Sequence, residues 1–122
     1  MIAYVTVGTA DMDKAKAFYS ALLEDLGARI VMDIGRLAAF GTDQGGAMFA
    51  VCTPHNEQAP DPGNGNMVAI PPGSKELVDK LYAKALELGG TGEGEPGQRM
   101  DGFYGAYFRD PDGNKICFCH FG

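Results

Sequence analysis

Residues 104–118 read YGAYFRDPDGNKICF, which places Asp, Pro and Gly between two apolar runs. Proline fixes φ, aspartate closes an Asx turn and glycine accepts a positive φ, so this composition predicts a β-hairpin with a tight turn at residues 110–114. We expect the side chains of Asp110 and Asp112 to be occupied by that turn. They are therefore not interpreted as a catalytic pair of acids.

A weaker copy of the same pattern occurs in the first half of the chain, where residues 43–51 correspond to residues 110–118. Towards the N-terminus the correspondence continues, because Tyr4 aligns with Met67 and Asp11 with Ser74. An internal repeat of this length predicts two copies of one structural unit. We expect a functional site where the two copies meet.

Each copy is predicted to contain a strand, an amphipathic helix and three further strands. The helices are expected at residues 11–26 and 74–88, where apolar side chains recur at three- and four-residue steps. Asp11 and Ser74 are suitable N-caps, and glycine follows each helix. The strands are expected at residues 1–7, 29–32, 36–41, 47–52, 67–70, near 91, 103–109 and 115–121.

Residues 53–65 are polar and contain several prolines and glycines, which predicts a surface linker between the copies. We therefore divide the chain into module one (1–52), this linker and module two (66–122), within a single domain of 122 residues. One such module cannot cover both faces of its own sheet. The two sheets should pair, either within one chain or by exchange across a dimer, with the helices outside and a concave face inside.

The composition excludes several classes of protein. Ten basic residues are scattered among 16 acidic ones, and the net charge of −6 disfavours nucleic acid as a partner. The same balance is compatible with a neutral or cationic small ligand, although it is explained as well by solubility. No apolar run is long enough to span a bilayer and no leader precedes the first strand, so we expect a cytoplasmic protein without a membrane partner.

Two tempting motifs fail on physical grounds. Residues 92–97 match Gly-x-Gly-x-x-Gly, but a dinucleotide fingerprint must follow a strand and open a helix. This one follows a helix and contains Pro96 and two glutamates, so we interpret it as a flexible loop that could cover the concave face. His55 and His120 are isolated in sequence, lack metal-ligand spacing and are expected at the surface.

The run Tyr104–Ile116 resembles the glyoxalase/bleomycin-resistance/dioxygenase superfamily, also called the vicinal oxygen chelate fold. The resemblance also rests on Ile2–Val7, on Gly65–Ala69 and on Phe18-Tyr19 followed by Leu26-Gly27. The resemblance covers essentially the whole chain. It implies an α+β fold in which two βαβββ modules form a cupped eight-stranded mixed sheet around a site. It also implies a homodimer.

Metal-dependent members of that family bind a divalent ion through four side chains, one from the first and one from the last strand of each module. The resemblance places these positions at Tyr4, Ala50, Met67 and Cys117. None of them is His, Asp or Glu, and Ala50 has no donor atom. We therefore predict that the usual metal site is absent and that no other cofactor is bound.

The three cysteines allow two interpretations. Alternation places Cys117 and Cys119 on one face of the last strand, and the repeat aligns Cys52 with Cys119. They could form a thiolate site for a soft ion or a nucleophile. The alternative is three reduced, apolar-like side chains in a buried sheet, which is the more common role of a free cysteine.

Three functions remain open. The first is a metal-free protein of the bleomycin-resistance type that binds a small organic ligand in the concave sheet. The alternation of side chains along the strand does not decide whether Tyr104 or Tyr107 points into that site. The second is an enzyme with a diverged site: a glyoxalase-type lyase or isomerase, similar to lactoylglutathione lyase, or a dioxygenase-like enzyme. In such a site Arg36 or Arg109 would have to lower the pKa of a tyrosine or thiol. The third is a structural or regulatory dimer without an enclosed pocket. The residues predicted to line the site are Tyr4, Thr6, Met67, Tyr104, Tyr107, Cys117 and Cys119.

Overall fold

The computed structural model describes residues 1–122 as two compact units, Met1–Pro62 and Gly63–Gly122. Each unit consists of a strand, a helix and three strands, which confirms the two βαβββ modules and the α+β class. No helix combines the length and the apolar character needed to cross a membrane. The elements are β1 (Tyr4–Gly8), α1 (Met12–Leu22), β2 (Arg29–Asp33), β3 (Leu37–Gly41), β4 (Met48–Cys52), β5 (Val68–Ile70), α2 (Lys75–Glu87), β6 (Thr91–Met100), β7 (Phe103–Arg109) and β8 (Lys115–His120).

The two sheets have the same topology. Their strand orders are β1-β4-β3-β2 and β5-β8-β7-β6, and in each sheet the first strand pairs in parallel with the last while the other pairs are antiparallel. Ala50 lies between Thr6 and Ala39, and Cys117 lies between Ala69 and Tyr107. The register therefore agrees with the alignment of the two copies in the sequence. Pairing of the two sheets into one cupped eight-stranded sheet stays a prediction.

Both helices begin at the predicted caps. The Asp11 carboxylate accepts a hydrogen bond from the backbone N–H of Lys14, and the Ser74 hydroxyl accepts one from that of Leu77, each at 3.1 Å. These bonds satisfy N–H groups that have no partner within the helix. Helix α1 continues into a 3₁₀ turn, Leu23–Leu26, and the chain then reverses at Gly27 with φ of 73°.

The core of the first unit lies between α1 and one face of its sheet. The Tyr19 ring packs 4.7 Å from that of Phe49 and 6.3 Å from that of Phe40, measured between centroids. Tyr19 and Leu22 are fully buried. Because strand side chains alternate, this packing leaves Ala50 and Cys52 on the face opposite α1.

The second unit repeats this arrangement. The rings of Phe108 and Phe118 stack at 5.6 Å, and the apolar side of α2 is buried through Val78, Leu81 and Ala85. The even-numbered residues of β7 and β8 thus form the core beneath α2. The odd-numbered residues are on the other face of the sheet.

The turn between β7 and β8 has the predicted chemistry. One carboxylate oxygen of Asp110 accepts hydrogen bonds from the backbone N–H groups of Asp112 and Asn114, both at 2.9 Å, and the other accepts one from the Asn114 side-chain amide at 3.0 Å. Gly113 has φ of 90°. Asp110 is buried in the turn that it stabilises.

The prediction of a flexible loop at residues 92–97 is wrong. These residues belong to β6, which pairs antiparallel with β7 and shifts register between Gly92 and Gly94, between Gly94 and Gly97, and between Gln98 and Met100. Pro96 lies within one of these irregularities, where no ladder N–H is required. The glycines allow close approach: a Cβ on Gly92 would collide with the Tyr82 hydroxyl, and one on Gly94 would lie 2.9 Å from the Tyr107 ring.

Candidate functional site

The sheet of the second module has one face covered by α2 and one face opposite it, which we call the far face. The far face includes Ala69, Gly105, Tyr107, Cys117 and Cys119, which are neighbours in the strand register. The expected shared face of Cys117 and Cys119 is observed. Ala69 is exposed, whereas both cysteines are buried.

The structure decides between the two tyrosines of β7. The Tyr104 hydroxyl donates a 2.6 Å hydrogen bond to the Asp79 carboxylate on α2, and the Lys75 ammonium lies 5.5 Å from the Tyr104 ring centroid. The bond to Asp79 raises the pKa of Tyr104. Tyr107 instead lies opposite Cys117. Tyr104 therefore lies on the α2 side of the sheet, away from the other predicted site residues of this module.

Tyr107 is flanked by two cations. The Arg99 guanidinium carbon lies 5.3 Å from the ring centroid and the Lys115 ammonium 5.5 Å from it, both within the range of a cation–π interaction. Arg99 also donates a hydrogen bond to the backbone carbonyl of Glu95. These contacts hold an exposed guanidinium that pairs with no carboxylate. Arg99 was missed at the level of sequence because its segment had the composition of a loop.

The other cations of this region share one acid. Arg109 forms a salt bridge with Glu93 and donates a 3.0 Å hydrogen bond to the carbonyl of Gly113, while the Lys115 ammonium lies 4.0 Å from a Glu93 oxygen. The hydrogen bond from Arg109 holds the pKa of Glu93 below its usual value. Arg109 thus has a partner of its own and does not lie free to activate a tyrosine or thiol. Arg36, the other candidate, is exposed at the residue preceding β3.

The cysteines of β8 have the properties of buried thiols. Burial raises the pKa of Cys117 to about 11, and the neighbouring Cys119 adds to this effect. Burial also raises the pKa of Cys119. Because the thiolate is the nucleophile and the metal ligand, both groups are in their unreactive form near neutral pH.

In the first module the predicted residues lie on the face opposite α1. Thr6 pairs with Ala50, and Tyr4 pairs with Met48. Tyr4 and Thr6 are exposed, whereas Ala50 is completely buried. Cys52 pairs with Gly8 on the same face and is half-buried.

The side chains present do not fit a divalent metal ion. No three His, Cys, Asp or Glu side chains of the chain are grouped closely enough to hold one. At the four positions considered, Ala50 has no donor atom, and Met67, which immediately precedes β5, has only a thioether. Zinc, manganese and iron sites require imidazole, carboxylate or thiolate donors. His55 is exposed and His120 is partly exposed at the end of β8.

A cavity of about 460 Å³ in the first unit was not anticipated from the sequence. It lies where β1 and β4 end, beside the start of α1, and Pro60 packs against Gly8 nearby. The Thr9 hydroxyl is buried there but bonds to the backbone of Asp11 as both donor and acceptor. The lining residues are Thr9, Ala10, Thr53, Pro54, Glu57, Gln58, Ala59 and Pro60.

A sequence model of the Glyoxalase/Bleomycin resistance protein/Dioxygenase superfamily matches residues 1–118. The chain belongs to this superfamily. The match includes both modules, with their parallel β1–β4 and β5–β8 pairs, and it includes all four positions where the residues do not fit a metal. No curated protein matches the chain.

Solved structures of other proteins resemble this one along nearly their full length. A glyoxalase/bleomycin resistance protein from Albidiferax ferrireducens T118 is 37% identical with a TM-score of 0.91, and the match covers 100% of this chain and 99% of that one. A glyoxalase/bleomycin resistance protein/dioxygenase family enzyme from Burkholderia phytofirmans PsJN is 21% identical, with a TM-score of 0.79 and 98% coverage of each chain. Hypothetical protein SA1046 from S. aureus is 24% identical with a TM-score of 0.74, covering 98% of this superfamily member and 92% of that chain. The latter two show the fold alone.

Proposed function

We propose that this protein binds a small organic ligand on the sheet faces opposite its helices, without a metal ion. The observation that carries the proposal is the residue set at Tyr4, Ala50, Met67 and Cys117. These side chains do not fit an ion, whereas the exposed aromatic ring of Tyr4 and thioether of Met67 are typical of an apolar binding surface. The fold is that of the superfamily while the donors for its metal chemistry are missing.

Each module is proposed to have a binding face of its own, opposite its helix. In the first module this face includes Tyr4 and Thr6, which are exposed opposite α1. In the second module it includes Met67, Tyr107, Cys117 and Cys119. Tyr104 is left out because its hydroxyl bonds to Asp79 on α2. Tyr107 and Tyr104 thus form a natural pair of test and control positions on one strand.

An enzymatic role as a lyase, isomerase or dioxygenase is the weaker proposal. A thiol that moves a proton near neutral pH needs a lowered pKa, whereas burial raises that of Cys117 to about 11. Glu93 is paired with Arg109, so neither group is free to assist. No observation on the far face favours catalysis over binding.

The decisive experiment combines metal analysis with ligand screening. Protein produced with zinc, nickel, manganese and iron in the medium is dialysed and its metal content measured, and a fragment library is then screened by NMR with and without EDTA. We expect less than about one tenth of an equivalent of metal, with fragments bound equally in both conditions. A tightly held stoichiometric metal would overturn the proposal, as would turnover of the hemithioacetal formed from glutathione and methylglyoxal.

A pair of variants locates the binding surface. Tyr107→Ala should weaken binding of the fragments found in that screen by about tenfold or more, because it removes an aromatic contact surface. Tyr104→Ala, on the other face of the same strand, should leave their dissociation constants unchanged. The reverse result would move the ligand to the α2 side and contradict the assignment of the surface.

We further propose that the protein is a homodimer, as the resemblance to the superfamily implies. Sedimentation equilibrium should give about twice the chain mass of 12.9 kDa. A monomer at all concentrations tested would refute the dimer and leave the ligand-binding proposal intact.

A further inference from the structure

The far face of the second module presents an unpaired positive charge in a fixed position. The Arg99 guanidinium is held by the Tyr107 ring and by one hydrogen bond to the Glu95 carbonyl, and no carboxylate neutralises it. A guanidinium has five N–H donors in a planar fork that matches the oxygens of a carboxylate or phosphate. Donors therefore remain for a ligand on a group whose orientation is already restrained.

Neighbouring charges reinforce this one. Lys115 lies on the same Tyr107 ring, and Lys115 and Arg109 have a single acid, Glu93, between them. Arg109 and Lys115 thus share one carboxylate, and Arg99 has none. Glu95 lies on β6 as well, but it meets Arg99 through its backbone carbonyl. The local excess of positive charge is opposite in sign to the net charge of −6 of the whole chain.

The surface beneath these cations is uncharged. Cys117 and Cys119 are buried and keep their protons, and Ala69 and Gly105 add no polar side chain. Charge–charge attraction is stronger beside a surface of low polarity than in bulk water. Glu93 is the carboxylate that pairs with Arg109 and Lys115 here.

We infer that the far face selects a ligand with an anionic group, a carboxylate or a phosphate, which Arg99 and Lys115 bind, with the organic remainder of the ligand against the Tyr107 ring and Ala69. This inference rests on the proposed function and narrows its ligand class. It differs from the expectation drawn from total charge, which was compatible with a neutral or cationic ligand.

Four compounds that share one ring test the inference: benzoate, phenyl phosphate, benzamide and benzamidine. Each is titrated into the ¹⁵N-labelled full chain at low ionic strength, and amide shifts at Ala69, Gly105 and Cys117 are followed. We expect benzoate or phenyl phosphate to bind at least about tenfold more tightly than benzamide, with benzamidine the weakest. The order of the two anions identifies carboxylate or phosphate as the preferred group. Raising the salt concentration should reduce the preference, because exposed charges are screened.

Matched arginine variants complete the test. Arg99→Gln should abolish the preference for the anion, whereas Arg29→Gln, at an exposed arginine paired with Asp43 in the first module, should retain it. Both sites are exposed, and circular dichroism checks that each variant is folded. If benzamide binds as tightly as both anions, or Arg99→Gln keeps the preference, the inference is wrong while the proposed function stands. If no compound in this series or in the fragment library binds, both are wrong.

Discussion

At the residue scale, two aspartates in equivalent turns have different roles. Asp110 is buried and accepts three hydrogen bonds within the turn between β7 and β8. Asp43, which aligns with it in the first module, forms an exposed salt bridge with Arg29 at 3.0 Å. The two equivalent positions therefore contribute differently to the free energy of unfolding, because buried hydrogen bonds stabilise the fold more than exposed ion pairs do.

This difference gives a stability prediction. Asp110→Ala should lower the free energy of unfolding by about 2–4 kcal/mol, because it leaves turn N–H groups without partners. Asp43→Ala should change it by less than about 1 kcal/mol. Urea denaturation followed by circular dichroism measures both. Equal losses would show that Asp110 does not hold its turn in the way described.

A second prediction at this scale concerns pH. The pKa of Cys117 rises from an ordinary value of 9.0 to about 11 in the folded protein, chiefly through burial. Between these values the folded state binds more protons than the unfolded state, so its stabilisation is complete below pH 9 and is lost as the pH rises towards 11. The free energy of unfolding should therefore fall across this window. Cys117→Ala should show a shallower fall, and an identical pH profile for both proteins would contradict the effect.

At the scale of elements, β6 shows how a strand can have the composition of a loop. Four of its ten residues are Gly or Pro, which is typical of a turn. Its irregular register tolerates them, and Gly92 and Gly94 provide space for tyrosine side chains. Whether a strand can accommodate these glycines and Pro96 depends on its contacts with other elements, and the local amino-acid sequence does not reveal those contacts.

The glycines of β6 should therefore differ in their response to substitution. A Cβ on Gly94 would lie 2.9 Å from the Tyr107 ring, while one on Gly97 would meet only the end of the flexible Arg99 side chain. Gly94→Ala should destabilise the protein by about 1–3 kcal/mol and Gly97→Ala by distinctly less. Thermal unfolding of the two variants checks this. A double variant, Gly94→Ala with Tyr107→Ala, should recover part of the loss if the ring is the cause.

The helices, in contrast, could be predicted from local sequence alone. Their caps at Asp11 and Ser74, their apolar periodicity and the glycines that follow them act within a few residues, so no tertiary contact was needed to locate them. The turn at Asp110 is local in the same sense. The choice between Tyr104 and Tyr107 could not be made from local sequence, because it depends on which face of β7 packs against α2. Arg99 could not be predicted from local sequence either, because its position depends on the ring of Tyr107 on the neighbouring strand.

At the scale of the whole molecule, the two units have the same topology but different chemistry. The sequence predicted both the division into modules and their strand register, because the repeat supplied an internal alignment. It did not indicate the cavity beside Thr9, which is formed by residues distant in sequence that meet only after folding.

The absence of suitable donors leads to a prediction for the intact protein. Stability that depends on a bound metal is lost when the metal is removed. EDTA should therefore leave the thermal unfolding midpoint unchanged to within about one degree, and added zinc should not raise it. A drop of several degrees with EDTA, reversed by one particular ion, would reveal a structural metal outside the positions considered.

The register places Ala39 beside Ala50 in the first sheet where the second has Tyr107 beside Cys117. Ala39 is buried, whereas the Tyr107 ring has two cations within 5.5 Å of its centroid. Gene duplication followed by divergence accounts for such a pair, because equivalent positions in the two copies can change independently. Selection on ligand preference should then act mainly on β6, β7 and β8, and engineering of a new preference should begin there.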